Sequence, residues 1–406
     1  MVRTARKPLF VACLSITALL ASACMEISGN PVAGEIDVRK LEVGQYKVSK
    51  FSYNQNAGNS AALLEGFRMS EAVVPTVRID SSLTYGRGGR ATVDTADATD
   101  AGLADVSKPV LDRNKMITAF IASGTDKIPL SGGKSEPGAT TITNMVLRFP
   151  DSQTAKTAAR ELEDADFNVA ADINKKVPLS QYPDAYVHWR PGVPNMGTFM
   201  AYKDFVISLL IERPTADEQD LLSWVRKTLD AQVPLLDKFV PTPESKLSSL
   251  QVDPDDLLAR VVVKDRPKNG TTTPDPTAFA VYGPTKIIHN ANNESDIEKA
   301  VTASGADAIA YSDYSTVIRT RDDAGAQTML SALVADESDH YDTIAAPNDL
   351  PGAKCVQLNS KGDTEIEYKN RCYVAYKRFI GVVSSDSEAD VRQKIAAEYA
   401  LLANSM

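Results

Sequence analysis

Chemistry in this chain of 406 residues has few places to start: three histidines, four cysteines, some glycine-rich strings and a Tyr-Lys pair that occurs twice. His188, His289 and His340 are isolated, and none has a second histidine at metal-ligand spacing. His340 closes the string DESDH, where Asp336, Glu337 and Asp339 offer oxygens to a cation, but the same string suits an exposed turn, and that is the reading adopted. Gly133-Lys134-Ser135 matches only the end of a phosphate-binding loop, because Ile128 stands where the loop needs its first glycine. GRGGR at Gly86 to Arg90 sets backbone amides beside two guanidinium groups, as an anion site would, yet it reads more simply as a mobile glycine loop. Asp94, Asp97 and Asp100 are three apart, whereas a calcium loop places oxygens at alternate positions, so a solvated acidic loop is expected. No G-x-S-x-G elbow is present. The pairs Tyr202-Lys203 and Tyr376-Lys377 tempt an acid-base reading, but adjacent strand residues point to opposite faces, which favours a repeat signature. No catalytic residue, metal set or cofactor is expected.

Two cysteines, Cys13 and Cys24, lie in a leading segment with a basic start (MVRTARK), an apolar run (PLFVACLSITALL) and a small-residue end (ASAC). That is the pattern of a secretory signal, residues 1–23, without a twin arginine. A membrane anchor is the rival, but Pro8 to Ala23 is 16 residues where a span needs about 20. LLASAC resembles the lipobox of bacterial lipoproteins, although Ala21 replaces the usual Leu. Cleavage between Ala23 and Cys24 with lipidation of Cys24 is expected; cutting after Ala21-Ser22-Ala23 as an ordinary signal is the alternative. Cys355 and Cys372 remain in the body, and an exported chain should oxidise them to a disulfide. A loop of that length corresponds to about 3 kcal/mol in the chain-entropy model.

These features must be carried by elements, and the elements repeat. TTITNMVLRF (Thr140 to Phe149) and the helical DSQTAKTAARELED are matched, 171 residues on, by STVIRT and DDAGAQTMLSALVAD. FMAYKDFVISLLI is matched 174 residues on by YVAYKRFIGVVSS. Each copy ends in an amphipathic helix, beginning DEQDLLSWV or SEADVRQKI. The unit reads strand, helix, strand, strand, helix, with middle strands near DAYVHW and AKCVQLNS. The expected fold class is α+β: two related lobes, each an antiparallel sheet with helices packed on one face. Residues 24–36 form a tether, 37–243 the first lobe, 244–276 a proline-rich connection whose flexible part is KNGTTTPDP, with VVVKDR before it open to being a strand of either lobe, and 277–406 the second lobe.

Several strings together, KLEVGQY, GFRMSEAVV, QVPLLDKFVPTP, DPDDLLAR, AVYGP, SGADAIA and TVIRTRD, resemble a family of secreted actinobacterial lipoproteins found in mycobacteria, nocardiae and rhodococci. The resemblance spans nearly all of the chain after Cys24 and implies paired N- and C-terminal domains without assigned chemistry. The element order is also similar, at the level of fold, to extracellular sensor domains and small lipoproteins of mycobacteria.

Composition narrows the partners. With 43% hydrophobic and 24% charged residues the chain is globular, and its formal charge is −9. Loss of Arg3, Arg6 and Lys7 with the leading segment makes the remainder three charges more acidic. No run of Lys or Arg exceeds a pair, so nucleic acid is not an expected partner. The expectation is an extracytoplasmic, lipid-anchored protein that binds a lipid, glycan or envelope-protein partner in a groove between its lobes. A cell-wall hydrolase and a structural or assembly factor are the alternatives.

Overall fold

A computed structural model describes residues 36–130, 135–267 and 270–406. The leader, Ala23, Cys24 and nearly all of the tether lie outside the described residues. The first lobe has strands β1 (Tyr85–Ala91), β2 (Thr118–Thr125), β3 (Thr141–Arg148), β4 (Lys175–Lys176), β5 (Ala185–Trp189), β6 (Asn195–Tyr202) and β7 (Phe205–Glu212). Its helices are α1 (Ala61–Arg68), α2 (Thr95–Gly102), α3 (Lys108–Arg113), α4 (Ser152–Phe167) and α5 (Glu218–Lys238). The second lobe has β8 (Phe279–Tyr282), β9 (Ala308–Ser312), β10 (Ser315–Arg319), β11 (Tyr341–Ile344), β12 (Lys354–Leu358), β13 (Asn370–Tyr376) and β14 (Phe379–Ser385). Helices α6 (Thr285–His289), α7 (Glu294–Ser304), α8 (Asp323–Asp336) and α9 (Glu388–Asn404) complete it.

The strand orders, β1-β2-β3-β7-β6-β5-β4 and β8-β9-β10-β14-β13-β12-β11, are the same, and every pairing is antiparallel. The α+β, two-lobed expectation therefore holds, and the duplication begins earlier than Thr140, at β1 and β8. Its details recur atom for atom. Asp151 and Asp322 cap α4 and α8 by accepting from Thr154 N and Gly325 N at 2.7 and 2.8 Å. Phe149 N donates to Asp204 O and Thr320 N to Arg378 O, each at 2.8 Å.

Three expectations need correction. FMAYKDFVISLLI is two strands: Tyr202 pairs with Phe205 and Tyr376 with Phe379 across two-residue turns, with Lys203 and Lys377 at φ of 51° and 50°. Lys-Asp and Lys-Arg lack the Asn-Gly chemistry that marks such turns in a sequence. Helices cover both faces of the first sheet, since period-two alternation makes both faces apolar. Ala119, Ile121, Met145 and Leu147 pack with Ala155, Ala159 and Leu162 of α4; Ile207, Leu209 and Ile211 pack with Leu221, Val225 and Leu229 of α5. Finally, the proline-rich segment is packed, not loose, before Lys268. Leu257, Leu258, Ala259, Val261, Val262 and Val263 are buried, because Asp253 caps Leu258 N and Ala259 N at 2.6 and 2.8 Å and Glu398 of α9 accepts from Val262 N at 2.7 Å. Burial pushes the Glu398 carboxyl up to about 8. Thr272 exchanges two hydrogen bonds with Gln55. Lys268 and Asn269 lie outside the described residues.

Asp37–Met406 thus form one compact unit whose main core contains residues of both sheets. Polar groups lock the lobes. Glu71 accepts from Thr285 N and Oγ1 at 2.8 and 2.6 Å. Glu294 accepts from Thr76 Oγ1 and Val77 N at 3.0 and 2.8 Å, while burial pushes its carboxyl up to about 7.

Candidate functional site

The expected interlobe groove exists, and the GRGGR string builds one wall of it. The string is not a mobile loop: it is strand β1, paired to β2, with a register shift between Gly86 and Gly89 and Gly88 at φ +91°. Close approach requires one glycine and favours a second. A Cβ on Gly86 would lie 2.7 Å from His289 O and 2.8 Å from Ala291 O, so glycine there lets α6 of the second lobe lie against β1 of the first, and a Cβ on Gly89 would crowd the Phe120 ring at 3.0 Å and His289 Cβ at 3.2 Å. Gly86 N donates to Ala291 O at 3.0 Å and Glu294 N to Thr84 O at 2.8 Å.

That approach brings Lys286 of α6 against the bulge. Its side chain is buried; the ammonium donates to Gly89 O and, at 3.0 Å, to Asn290 Oδ1. The rings of Tyr282 and Tyr311 lie 5.4 and 5.6 Å away. Burial, with Arg90 nearby, pulls Lys286 down to about 7. Arg90 is held by both oxygens of Asp97, at 2.8 and 2.7 Å, and Arg87 Nη1 donates to Ser135 Oγ at 3.2 Å. Arg87, Arg90, Lys286 and Asn290 line a cleft of about 500 Å³ together with apolar Ala101, Ile121 and Pro129 and the hydroxyls of Ser123, Thr143 and Thr277. No Asp, Glu, His or Cys is among the lining residues. The cleft is therefore cationic with an apolar wall, of a size that suits a small organic ligand.

Other singled-out residues fall elsewhere. Asp94, Asp97 and Asp100 are not a solvated loop: they sit at α2, where Asp94 caps Asp97 N at 2.8 Å and Asp97 holds Arg90. His289 is a buried ring 5.6 Å from Phe120; burial, then Lys286, pushes it down to about 3. His188 lies on β5, 3.5 Å from Asp166 and 3.8 Å from Glu163. His340 meets Glu367 at 3.0 Å, while Asp336 accepts from Asn292 N and Asn293 N and Glu337 pairs with Arg371, so the DESDH groups are dispersed. Among the described residues no group of three His, Cys, Asp or Glu is arranged to hold a metal ion. Gly133 and Lys134 lie outside the described residues. Tyr202 and Lys203 both reach Asp237, at 2.7 and 2.8 Å, as turn contacts. Cys355 and Cys372 are bonded, directly opposite one another on β12 and β13, with Cα atoms 4.1 Å apart. Lys286 had no signal in the sequence: a lone lysine before Ile287-Ile288 becomes notable only when β1 covers it.

Among the described residues no helix is long and apolar enough to cross a membrane. No curated protein matches the chain. A solved structure, the extracellular domain of PknH from Mycobacterium tuberculosis, is similar at 9% identity with a TM-score of 0.30, over 42% of this chain and 95% of that one. Residues 52–252 match the N-terminal model, and residues 257–405 the C-terminal model, of a domain of unknown function, DUF7373. The boundary between the two matches falls between the two sheets, inside the packed proline-rich segment, and the chain belongs to the DUF7373 family.

Proposed function

We propose that this is an actinobacterial envelope lipoprotein that binds a small ligand in the cleft between its lobes without turning it over. Cys24 carries the lipid, which holds the body at the outer face of the cell membrane. The observation that carries the reading is the cleft itself. Its walls come from both lobes, and buried polar clamps such as Glu71 on Thr285 and Glu294 on Thr76 and Val77 hold those walls in register. Ser123 Oγ and Thr143 Oγ1 are 3.2 Å apart, hydroxyl to hydroxyl, with no histidine or carboxylate among the lining residues to activate either, which supports binding over hydrolysis. The disulfide supports an oxidising, extracytoplasmic location. The cell-wall hydrolase and the assembly factor are the alternatives to this reading.

The test is mass spectrometry on protein purified natively from membranes. A diacylglyceryl mass on an N-terminal Cys24 and a co-purifying small molecule are expected; Cys24→Ser should release the protein to the medium, and Thr143→Trp, which fills the cleft, should remove the small molecule. A mature N-terminus at Cys24 without lipid would overturn the anchor. Turnover of an ester, glycoside or peptide that is abolished by Ser123→Ala would overturn the binding reading.

A further inference from the structure

The charge inside the cleft is opposite to that of the chain around it. Lys286 is buried, and its two hydrogen-bond acceptors, Gly89 O and Asn290 Oδ1, are neutral. Other buried charges are treated differently. Arg148 meets Glu65 at 2.7 Å, and Lys394, which also donates to carbonyls, feels Asp390, Asp313 and Glu398. The charge acting on Lys286 is another cation, Arg90. Burying an ammonium without a counter-charge is costly, and a fold normally relieves it with a carboxylate. Here the space beside it is open cleft, lined also by Arg87 and Arg90, and the carboxylate of Asp97 is held by Arg90.

We infer that the ligand of the cleft is a small organic anion, a carboxylate or a phosphate monoester, whose charged end meets Lys286 and Arg87 while its apolar part lies on Ala101, Ile121 and Pro129. The inference rests on the binding reading above and assigns its ligand class. An anion supplies the missing counter-charge, takes up the donor capacity an ammonium retains after two hydrogen bonds, and adds a charge-assisted bond from the guanidinium. A polyanion does not fit: the cleft holds about 500 Å³ and the surrounding chain is acidic.

Binding should also be linked to protons. The groups around Lys286 are Arg87 and Arg90 with Asp97 behind the latter, Tyr282 of β8, Tyr311 of β9, His289 at the end of α6, and Glu71, which caps Thr285. The lysine has its charge change near neutrality, at about 7, whereas His289 is pushed down to about 3 and burial pushes both tyrosines far up. An anion raises the lysine again, so complex formation takes up a proton. Affinity is full below pH 7 and falls by about tenfold per unit above it.

Calorimetry on the oxidised chain from Cys24 onward, with hexyl phosphate, hexanoate, inorganic phosphate and hexanol, tests this. Both hexyl anions should bind, hexanol should not, and binding in buffers of different ionisation enthalpy should show proton uptake at pH 8. If inorganic phosphate matches hexyl phosphate, the source is a free anion; if it is much weaker, the source is an amphiphile headgroup, and either result supports the inference. Lys286→Met removes a buried charge, so it should unfold no earlier than the parent, yet bind hexyl phosphate about 30-fold more weakly; Arg87→Gln should lose about tenfold. Equal binding of hexanol and hexyl phosphate, no binding of any anion, or a folded Lys286→Met variant with unchanged affinity would overturn the anion. A neutral molecule found in the native cleft would do so too while leaving the binding reading intact.

Discussion

The two lobes share one strand order and one set of turns, but they are stabilised by different means at matching positions. Arg148 at the end of β3 corresponds to Arg319 at the end of β10. The first is buried, with its guanidinium on Glu65 at 2.7 Å and on Thr242 O at 2.6 Å. The second reaches Asp307 and Asp255, whose side chains are half exposed or more. Likewise, Val187 on β5 pairs with Thr198 on β6 where Cys355 pairs with Cys372. Val187 O accepts from Val177 N of the neighbouring segment at 2.9 Å, so its backbone groups turn away from β6 and the pair is of the closely spaced, non-hydrogen-bonded kind that admits a disulfide. The lobes share one backbone solution and differ in the chemistry at these matched positions.

The largest expected difference is at the arginines. Arg148→Ala strips the buried Glu65 carboxylate of its buried cation, leaving it Thr242 N and the partly exposed Arg68, and should cost about 3–5 kcal/mol, whereas Arg319→Ala should cost about 1 kcal/mol or less. Urea unfolding of the two variants measures this, and equal losses would dissolve the contrast. Next is the disulfide: Cys355→Ala with Cys372→Ala should cost about 2–4 kcal/mol. Its counterpart sharpens the comparison, because Val187→Cys with Thr198→Cys should oxidise to a bond that non-reducing peptide mapping detects. Two free thiols there would mean that the strands' equivalence stops at register. The smallest effect belongs to the turns. Lys203 and Lys377 both sit in the left-handed region, so glycine at either relieves strain, with a net gain of about 1 kcal/mol or less after its own entropy cost. Lys377→Gly should gain more than Lys203→Gly, which also gives up the contact with Asp237; thermal unfolding ranks them.

Much of the fold was legible because it is written in periodicity and in repetition. The matched strings around Val146 and Val317, and around Tyr202 and Tyr376, mark equivalent strands, and Asp151 and Asp322 are readable caps, since each stands just before an apolar-periodic run. The cysteine pair was legible by arithmetic, and its oxidation follows from having no other partner in the body. The hairpins at Lys203 and Lys377 were hidden, because a two-residue turn without glycine or asparagine leaves an apolar run looking continuous. The early strands β1 and β8 were hidden as well: YGRGGRA has neither β-branched residues nor alternation, and it is a strand only because its neighbour β2 supplies hydrogen bonds and α6 needs the space that glycine leaves.

By itself, then, the sequence determined most of the helices and the central strands, the duplicated order around them, the cysteine pair and the acidic composition, all of which depend on residue type and spacing along the chain. Only the tertiary structure decided that the two lobes form one body, that Leu257 to Val263 of the proline-rich segment are part of their core, and that Gly89, Arg90 and Lys286, some two hundred residues apart, make one cationic cleft. The reason is physical: a buried charge and a required glycine are defined by what packs against them, and that contact has no period in the sequence from which it could be read.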